Sequence, residues 1–147
     1  MTRSDFKFFF PFRVRYSEID GQKVVFNAHY LTYYDTAITE FFRVLRYDYA
    51  GQVKADGTDF HTVRTVVEYK APIFFDQEIE VGVRAARLGR SSLTFALAIL
   101  PRGAETILAT GEVVWVNTDQ ATRKSAVIPA ALREVLRRHE GPGLTEA

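Results

Sequence analysis

One stretch limits what this chain can fold into. From residue 31 to residue 45 the apolar side chains Leu31, Tyr34, Ile38, Phe41 and Leu45 recur at steps of 3, 4, 3 and 4. That spacing lines a single face of an α-helix. Asp35, Glu40, Arg43 and Arg46 fall mostly off the stripe, and Gly51 follows as an end signal. Nearly everywhere else apolar and polar residues alternate with period two, the pattern of a strand. The pattern predicts one long helix in a chain otherwise made of sheet, entered through a polar turn that carries Glu18 and Asp20.

Upstream of that turn, Phe10, Phe12, Val14 and Tyr16 alternate with Pro11, Arg13, Arg15 and Ser17, a half-buried strand with Pro11 near its start. Residues 51–59 read as a polar loop. Strands then follow on Val63, Thr65, Val67 and Tyr69, on Ile79, Val81, Val83 and Ala85, on Leu93, Phe95, Leu97 and Ile99, and over residues 107–117. Short turns at 72–77, 89–91 and 101–104 favour antiparallel neighbours. Pro129 opens a short helix over 130–139, and the tail 140–147 is expected to fray. One antiparallel sheet and one striped helix have an α+β solution in which the twisted sheet wraps the helix as a single domain over 1–147. Ala96, Ala98 and Ile107 leave the other sheet face apolar, which favours an oligomer.

Composition removes several functional classes. With 147 residues, 47% of them apolar and 25% charged, the chain can build one well-filled core. It has no cysteine, which excludes disulfides and thiolate catalysis. A net charge of +1 gives no reason to expect nucleic acid or an anionic membrane as partner. No apolar run approaches the roughly 20 residues of a membrane span. The opening residues lack a targeting pattern, so a cytoplasmic location is expected. His29, His61 and His139 are scattered, and no metal site is expected. Residues 51–57 have the gap of a phosphate loop but no following Lys-Ser/Thr, and Ser91 and Ser92 lack the G-x-S-x-G setting of a nucleophile.

The acidic turn is left. Glu18 and Asp20 stand close enough to raise one another's pKa if the turn is partly buried. Directly after them the chain enters a helix whose first N–H groups lack partners and carry the positive end of the dipole. Such N–H groups can polarise a carbonyl oxygen while a carboxylate attacks the carbon or activates water. The plainer reading is that Asp20 caps its own turn.

The run Y-S-E-I-D-G-Q-K-V-V-F-N-A-H-Y from Tyr16 to Tyr30 resembles the opening signature of hotdog-fold acyl-CoA thioesterases, the 4-hydroxybenzoyl-CoA thioesterase-like branch. The likeness continues through V-E-Y-K-A-P at 67–72, Asp76, G-R-S-S at 89–92, A-T-G-E at 109–112 and Ile128-Pro129. It implies a long central helix wrapped by a five- or six-stranded antiparallel sheet. It also implies dimers that join their sheets, often tetramers, and hydrolysis of acyl-CoA without metal or other cofactor. Carried over by position, Asp20 matches the catalytic aspartate, as nucleophile or general base. The backbone N–H near Asn27 matches the oxyanion donor, and the Asn27 side chain can orient water or the thioester. Tyr16 matches an aromatic lining the site. Phe26, His29 and Tyr30 fall on the substrate side of the helix start, and Arg90, Ser91 and Ser92 match a region that contacts the CoA nucleotide in some relatives. The plainer readings are a surface or capping role for His29, core or interface for Tyr30, Tyr33 and Tyr34, and a solvated turn for Arg90. Two positions depart from the pattern: Lys23 stands where many relatives have Gly, and Ile38 where many have Arg. The chemistry is also open to an acyl carrier protein substrate, for which Arg84, Arg87, Arg90, Arg123 and Lys124 could supply a basic surface. A protein that binds acyl-CoA without turnover is the remaining alternative.

Overall fold

The computed structural model describes residues 1–147. Strand β1 (Phe8–Arg13) leads through a 3-10 turn (Tyr16–Glu18) to helix α1 (His29–Leu45) and helix α2 (Tyr49–Asp56). Strands β2 (Thr58–Tyr69), β3 (Glu78–Leu88), β4 (Ser92–Pro101) and β5 (Ala109–Asp119) follow. Helix α3 (Ala130–Glu140) and a two-residue strand β6 (Thr145–Glu146) end the chain. The sheet has the order β1-β3-β4-β5-β2, with β6 added to β3. The chain divides into two compact units, one of residues 1–41, 66–84 and 97–111, the other of 42–65, 85–96 and 112–147.

In the first unit β1 runs antiparallel to β3, with Phe8 opposite Val83 and Phe12 opposite Ile79. The predicted first strand stops three residues early. Val14 still reaches β3's entry through its N–H on the Gln77 carbonyl (3.0 Å), but Tyr16 turns into the 3-10 segment. The face of α1 buried here is Tyr30, Tyr33, Tyr34, Ala37, Ile38 and Phe41. The heavier aromatic rows at 30, 33 and 34 rotate the stripe by one position, so Leu31, read as part of it, is 41% exposed. On the other sheet face Phe6 packs with Ala98 and Leu100, and Phe9 and Ile107 lie against them. The N-terminal segment thus covers apolar surface that the sequence pattern had assigned to a partner subunit.

The second unit is built around Trp115. Its indole stacks on Phe42 (5.7 Å), meets Phe95 edge-on (5.0 Å) and tilts against Phe60 (5.6 Å). Residues 51–59, read as a loop, hold most of α2 and the start of β2. Asp48 caps that helix by accepting the Gly51 N–H at 2.9 Å, and Gly57 closes it in the left-handed region at φ 68°. Any side chain at Gly51 would run into the Asp48 carboxylate, so Gly51 belongs to this cap and does not end α1. Gln52, buried, donates to Asn117 Oδ1 (2.9 Å) and Thr58 Oγ1 (3.2 Å), which ties α2 to β5 and β2 by polar contacts that an apolar pattern does not reveal. The C-terminal residues expected to fray are also ordered. Glu140 accepts the Ala85 N–H at 2.8 Å, β6 pairs with β3, and Arg137 grips the Glu146 carboxylate through both Nε and Nη2.

Gly111 lies against the ring of Tyr34, so a Cβ added there would fall inside contact distance of three ring carbons. Tyr34 is fully buried and has no room to retreat. Gly111→Ala is expected to cost about 1–3 kcal/mol, read as a lower urea midpoint at unchanged slope. An unchanged midpoint would show that the ring moves aside without penalty.

Candidate functional site

Asp20 sits in a tight reversal of the chain. Its N–H donates to the Val24 carbonyl (2.9 Å), the Lys23 N–H donates back to the Asp20 carbonyl (2.9 Å), and Ile19 bridges to Val25. This is a three-residue hairpin loop of the kind whose last residue adopts the left-handed conformation. That residue is Lys23, at φ 65°. The turn therefore keeps the shape that a glycine would favour, and Gly21 does not take over the role. One oxygen of the Asp20 carboxylate accepts the Gln22 N–H at 2.8 Å, and its second oxygen has no protein donor.

Glu18 has its own partners. Its carboxylate, 5% exposed, accepts the Arg15 N–H (2.8 Å), the Arg15 guanidinium (3.0 Å) and the Tyr33 hydroxyl (2.9 Å). Burial alone would push its pKa up, but those donors together outweigh burial and hold it below the ordinary value. At Glu18 the raising inferred from spacing gives way to a lowered pKa. Burial and the nearby Glu18 charge push the Tyr33 hydroxyl well up, so it stays a donor.

The Glu18 carbonyl takes the Phe26 N–H (2.9 Å), and Ile73 takes that of Val25 (2.8 Å), which steers the chain into α1. At the helix entrance the Phe26 carbonyl accepts the His29 N–H (3.0 Å). The Asn27 carbonyl accepts the Tyr30 N–H (3.4 Å) and the Tyr69 hydroxyl (3.1 Å). The N–H groups of Asn27 and Ala28 donate to no protein group. A cleft of about 360 Å³ opens here, lined by Asp20, Gln22, Val24, Val25, Asn27, Tyr30, Tyr69, Lys70, Ala71 and Pro72. Burial, then the neighbouring Tyr69, raises the Tyr30 hydroxyl above its usual range.

Of the residues singled out from the sequence, the structure brings Asp20, Asn27 and Tyr30 to this one cleft. Six others lie elsewhere. Tyr16 is 77% exposed and packs edge-on against Phe75 at 5.8 Å, because the strand that was to point it inward ends at Arg13. Phe26 is exposed and rests on the His29 ring (5.9 Å), and neither lines the cleft. Arg90, Ser91 and Ser92 belong to the other compact unit and form the turn between β3 and β4. The carbonyls of that turn are held by the Asn117 N–H on Ser91 (2.7 Å) and the Ile128 N–H on Arg90 (2.9 Å), with the Arg133 guanidinium on Gly89 and Arg90. Arg90 itself is exposed. Ile38, at the position where an arginine was noted as common, is buried among apolar neighbours. Reasoning from sequence missed Gln22, Lys70 and above all Tyr69 as cleft residues. The V-E-Y-K-A-P run was the available signal, but it lies some forty residues from the turn it faces. No group of three His, Cys, Asp or Glu side chains comes together as metal ligands.

Comparison with known proteins adds an independent line. A family model described as the thioesterase-like superfamily matches residues 14–136. The acyl-CoA thioester hydrolase YbgC of Escherichia coli is 30% identical over 127 residues, covering 85% of this chain and 92% of that protein. Among solved structures, the PA5185 protein of Pseudomonas aeruginosa superposes with a TM-score of 0.81 at 29% identity, covering 93% of this chain and 94% of that one. A thioesterase of Thermus thermophilus, solved in complex with coenzyme A and Zn, gives a TM-score of 0.77 at 31% identity, covering 93% and 97%.

Two stability outcomes follow from the turn. A non-glycine residue in the left-handed region costs about 1 kcal/mol, so Lys23→Gly is expected to raise the Tm by about 2–4 °C. A fall in Tm would contradict the turn geometry. Glu18→Gln is expected to cost about 1–3 kcal/mol at neutral pH. Because the folded pKa lies below the ordinary 4.5, the carboxylate's contribution is complete above that value and is lost as pH falls through the lowered one. The Tm gap between wild type and Glu18→Gln should hold steady from neutral pH to about 5 and close below 4.5, as followed by thermal melts across pH.

Proposed function

The chain belongs to the thioesterase-like superfamily, and from that premise we propose that it hydrolyses acyl-CoA thioesters to the free acid and CoA, with Asp20 and the N–H groups at the start of α1 as its machinery. The hotdog fold of these thioesterases is the fold of this chain, and thioester hydrolysis is the activity of the family. The observation that carries the assignment of the site is the meeting, in one cleft, of Asp20, one of whose oxygens has no protein donor, and Asn27, whose N–H, like that of Ala28 beside it, has no protein acceptor.

These groups divide the work of acyl transfer. The thioester oxygen sits on the N–H groups of Asn27 and Ala28, where the helix dipole and the free donors favour negative charge. As general base, Asp20 takes a proton from water, hydroxide adds to the carbonyl carbon, and the C–O π electrons move to the oxygen held by those N–H groups. Collapse of the tetrahedral intermediate breaks the C–S bond, and the proton held by Asp20 goes to the leaving thiolate. As nucleophile, Asp20 would instead attack the carbonyl carbon and expel the thiolate to form a mixed anhydride, and water adding at the Asp20 carbonyl of that anhydride would leave label from H₂¹⁸O in the Asp20 carboxylate after one turnover. The Asn27 side chain is in reach of the same cleft to orient water or the thioester. In this reading neither route uses a metal ion. Arg90, with Ser91 and Ser92, is assigned to the nucleotide end of CoA, for which an exposed guanidinium is suited.

A homodimer or tetramer is part of the same reading. Strand β2 ends the sheet order, and its Val63 and Tyr69 side chains are exposed, which supports continuation of the sheet into a second copy. No helix is long and apolar enough to cross a membrane.

Thiol release is to be followed with short, medium, long and aromatic acyl-CoAs in the presence of EDTA. Wild type should turn over at least one of them, and Asp20→Asn should lose about a hundredfold or more in kcat. Full activity in the mutant would remove Asp20 from the mechanism. A wild type inactive on every CoA ester would turn attention to acyl carrier protein substrates.

A further inference from the structure

The peptide groups at the start of α1 are held from their carbonyl side. The Asn27 carbonyl receives two donors, the Tyr30 N–H at 3.4 Å and the Tyr69 hydroxyl at 3.1 Å. The first is long, so Tyr69 makes the better bond. The Asn27 carbonyl and the Ala28 N–H are opposite ends of one planar unit, so whatever fixes the carbonyl direction also fixes where that N–H points. A donor on the carbonyl also polarises the peptide and strengthens its N–H as a donor. The Ala28 N–H has no acceptor within the protein.

Tyr69 reaches this peptide from the end of β2, 42 residues away in sequence. Its ring stands edge-on to that of Tyr30, with centroids 4.7 Å apart and planes at 74°. Both rings line the cleft that holds Asp20 and Asn27.

We propose that Tyr69 is a positioning residue for thioester hydrolysis: its hydroxyl holds the Asn27–Ala28 peptide so that the Ala28 N–H meets the oxyanion of the tetrahedral intermediate. The inference rests on the thioesterase reading above and adds to it a residue that acts through the backbone. Because the oxyanion is fully developed only on the way to the intermediate, the effect belongs to kcat and not to KM.

Tyr69→Phe removes the hydroxyl and keeps the ring on Tyr30. The expected result is about a tenfold fall in kcat at unchanged KM, an unchanged Tm, and a change in the Ala28 amide ¹⁵N shift read by NMR. Wild-type kcat in Tyr69→Phe overturns the proposal. So does a raised KM at unchanged kcat, which would put the hydroxyl on the substrate, and so does an unmoved Ala28 signal. Asp20→Asn, assayed beside it, separates the two ideas. Loss of activity in Asp20→Asn with none in Tyr69→Phe sinks only the role of Tyr69. Absence of wild-type turnover with every thioester sinks hydrolysis itself, and the positioning role with it.

Discussion

The Glu18 carboxylate is taken out of water and met by the Arg15 N–H, the Arg15 guanidinium and the Tyr33 hydroxyl, while its own backbone carbonyl accepts the Phe26 N–H. An isolated carboxylate in such a place would cost several kcal/mol or give up its charge. With these donors it stays ionised, its pKa moved down against the pull of burial. The geometric consequence is larger than the electrostatic one. Arg15 follows β1, Phe26 precedes α1, and Tyr33 lies one turn inside that helix. A single residue therefore ties the strand exit to the helix entrance, and the three-residue loop bearing Asp20 hangs between the two fixed ends.

Most helices satisfy their first N–H groups with a side-chain cap. Here the residues at the entrance are Asn27 and Ala28, and no side chain accepts from either N–H. Both residues are exposed, so water can serve these donors at little cost when the cleft is empty. A cap such as Asp at residue 26 or 27 would gain about 1 kcal/mol of helix stability and would put a negative charge against the donors that the proposed mechanism gives to the oxyanion. In the proposed mechanism, uncapped donors, a dipole pointing the same way and carbonyls pinned behind them hold the oxyanion by backbone alone. Its donors depend on backbone geometry, so side chains elsewhere matter through the peptide planes they hold.

Features that depend on local periodicity were legible in the sequence. The α1 stripe, the alternation along β3 and β4, the turns and the short helix after Pro129 all follow from the order of apolar and polar residues. Asp20 was legible as a carboxylate in the turn before α1, and Asn27 through the resemblance carried by the run from Tyr16 to Tyr30; the structure brings both to one cleft. What was hidden needed tertiary contacts. Helix α2 has a glycine in its first turn and holds on through Gln52, a polar residue, so neither periodicity nor propensity marks it. Tyr16 continues the alternation of β1 on paper, yet Arg15 is drawn aside by Glu18 and the strand ends before it. Tyr69 was counted as one more strand residue, because its hydroxyl finds Asn27 only once the edge of the sheet lies beside the helix entrance.

Turn cap and catalytic group compete as readings of Asp20 in the sequence, and the geometry lets one side chain do both. One carboxylate oxygen accepts the Gln22 N–H and so holds the loop. That same bond removes rotational freedom from the second oxygen, which has no protein donor and lines the cleft with Asn27. In the proposed mechanism a free aspartate would have to be ordered at every turnover, and the Gln22 bond supplies that order beforehand. The left-handed backbone at Lys23 belongs to the same loop, which closes through the Lys23 N–H on the Asp20 carbonyl and the Asp20 N–H on the Val24 carbonyl. Its cost of about 1 kcal/mol falls on the folded state as a whole, and the benefit is confined to one oxygen. Strain retained at a position that glycine would relieve is the kind of exchange expected where orientation matters more than stability.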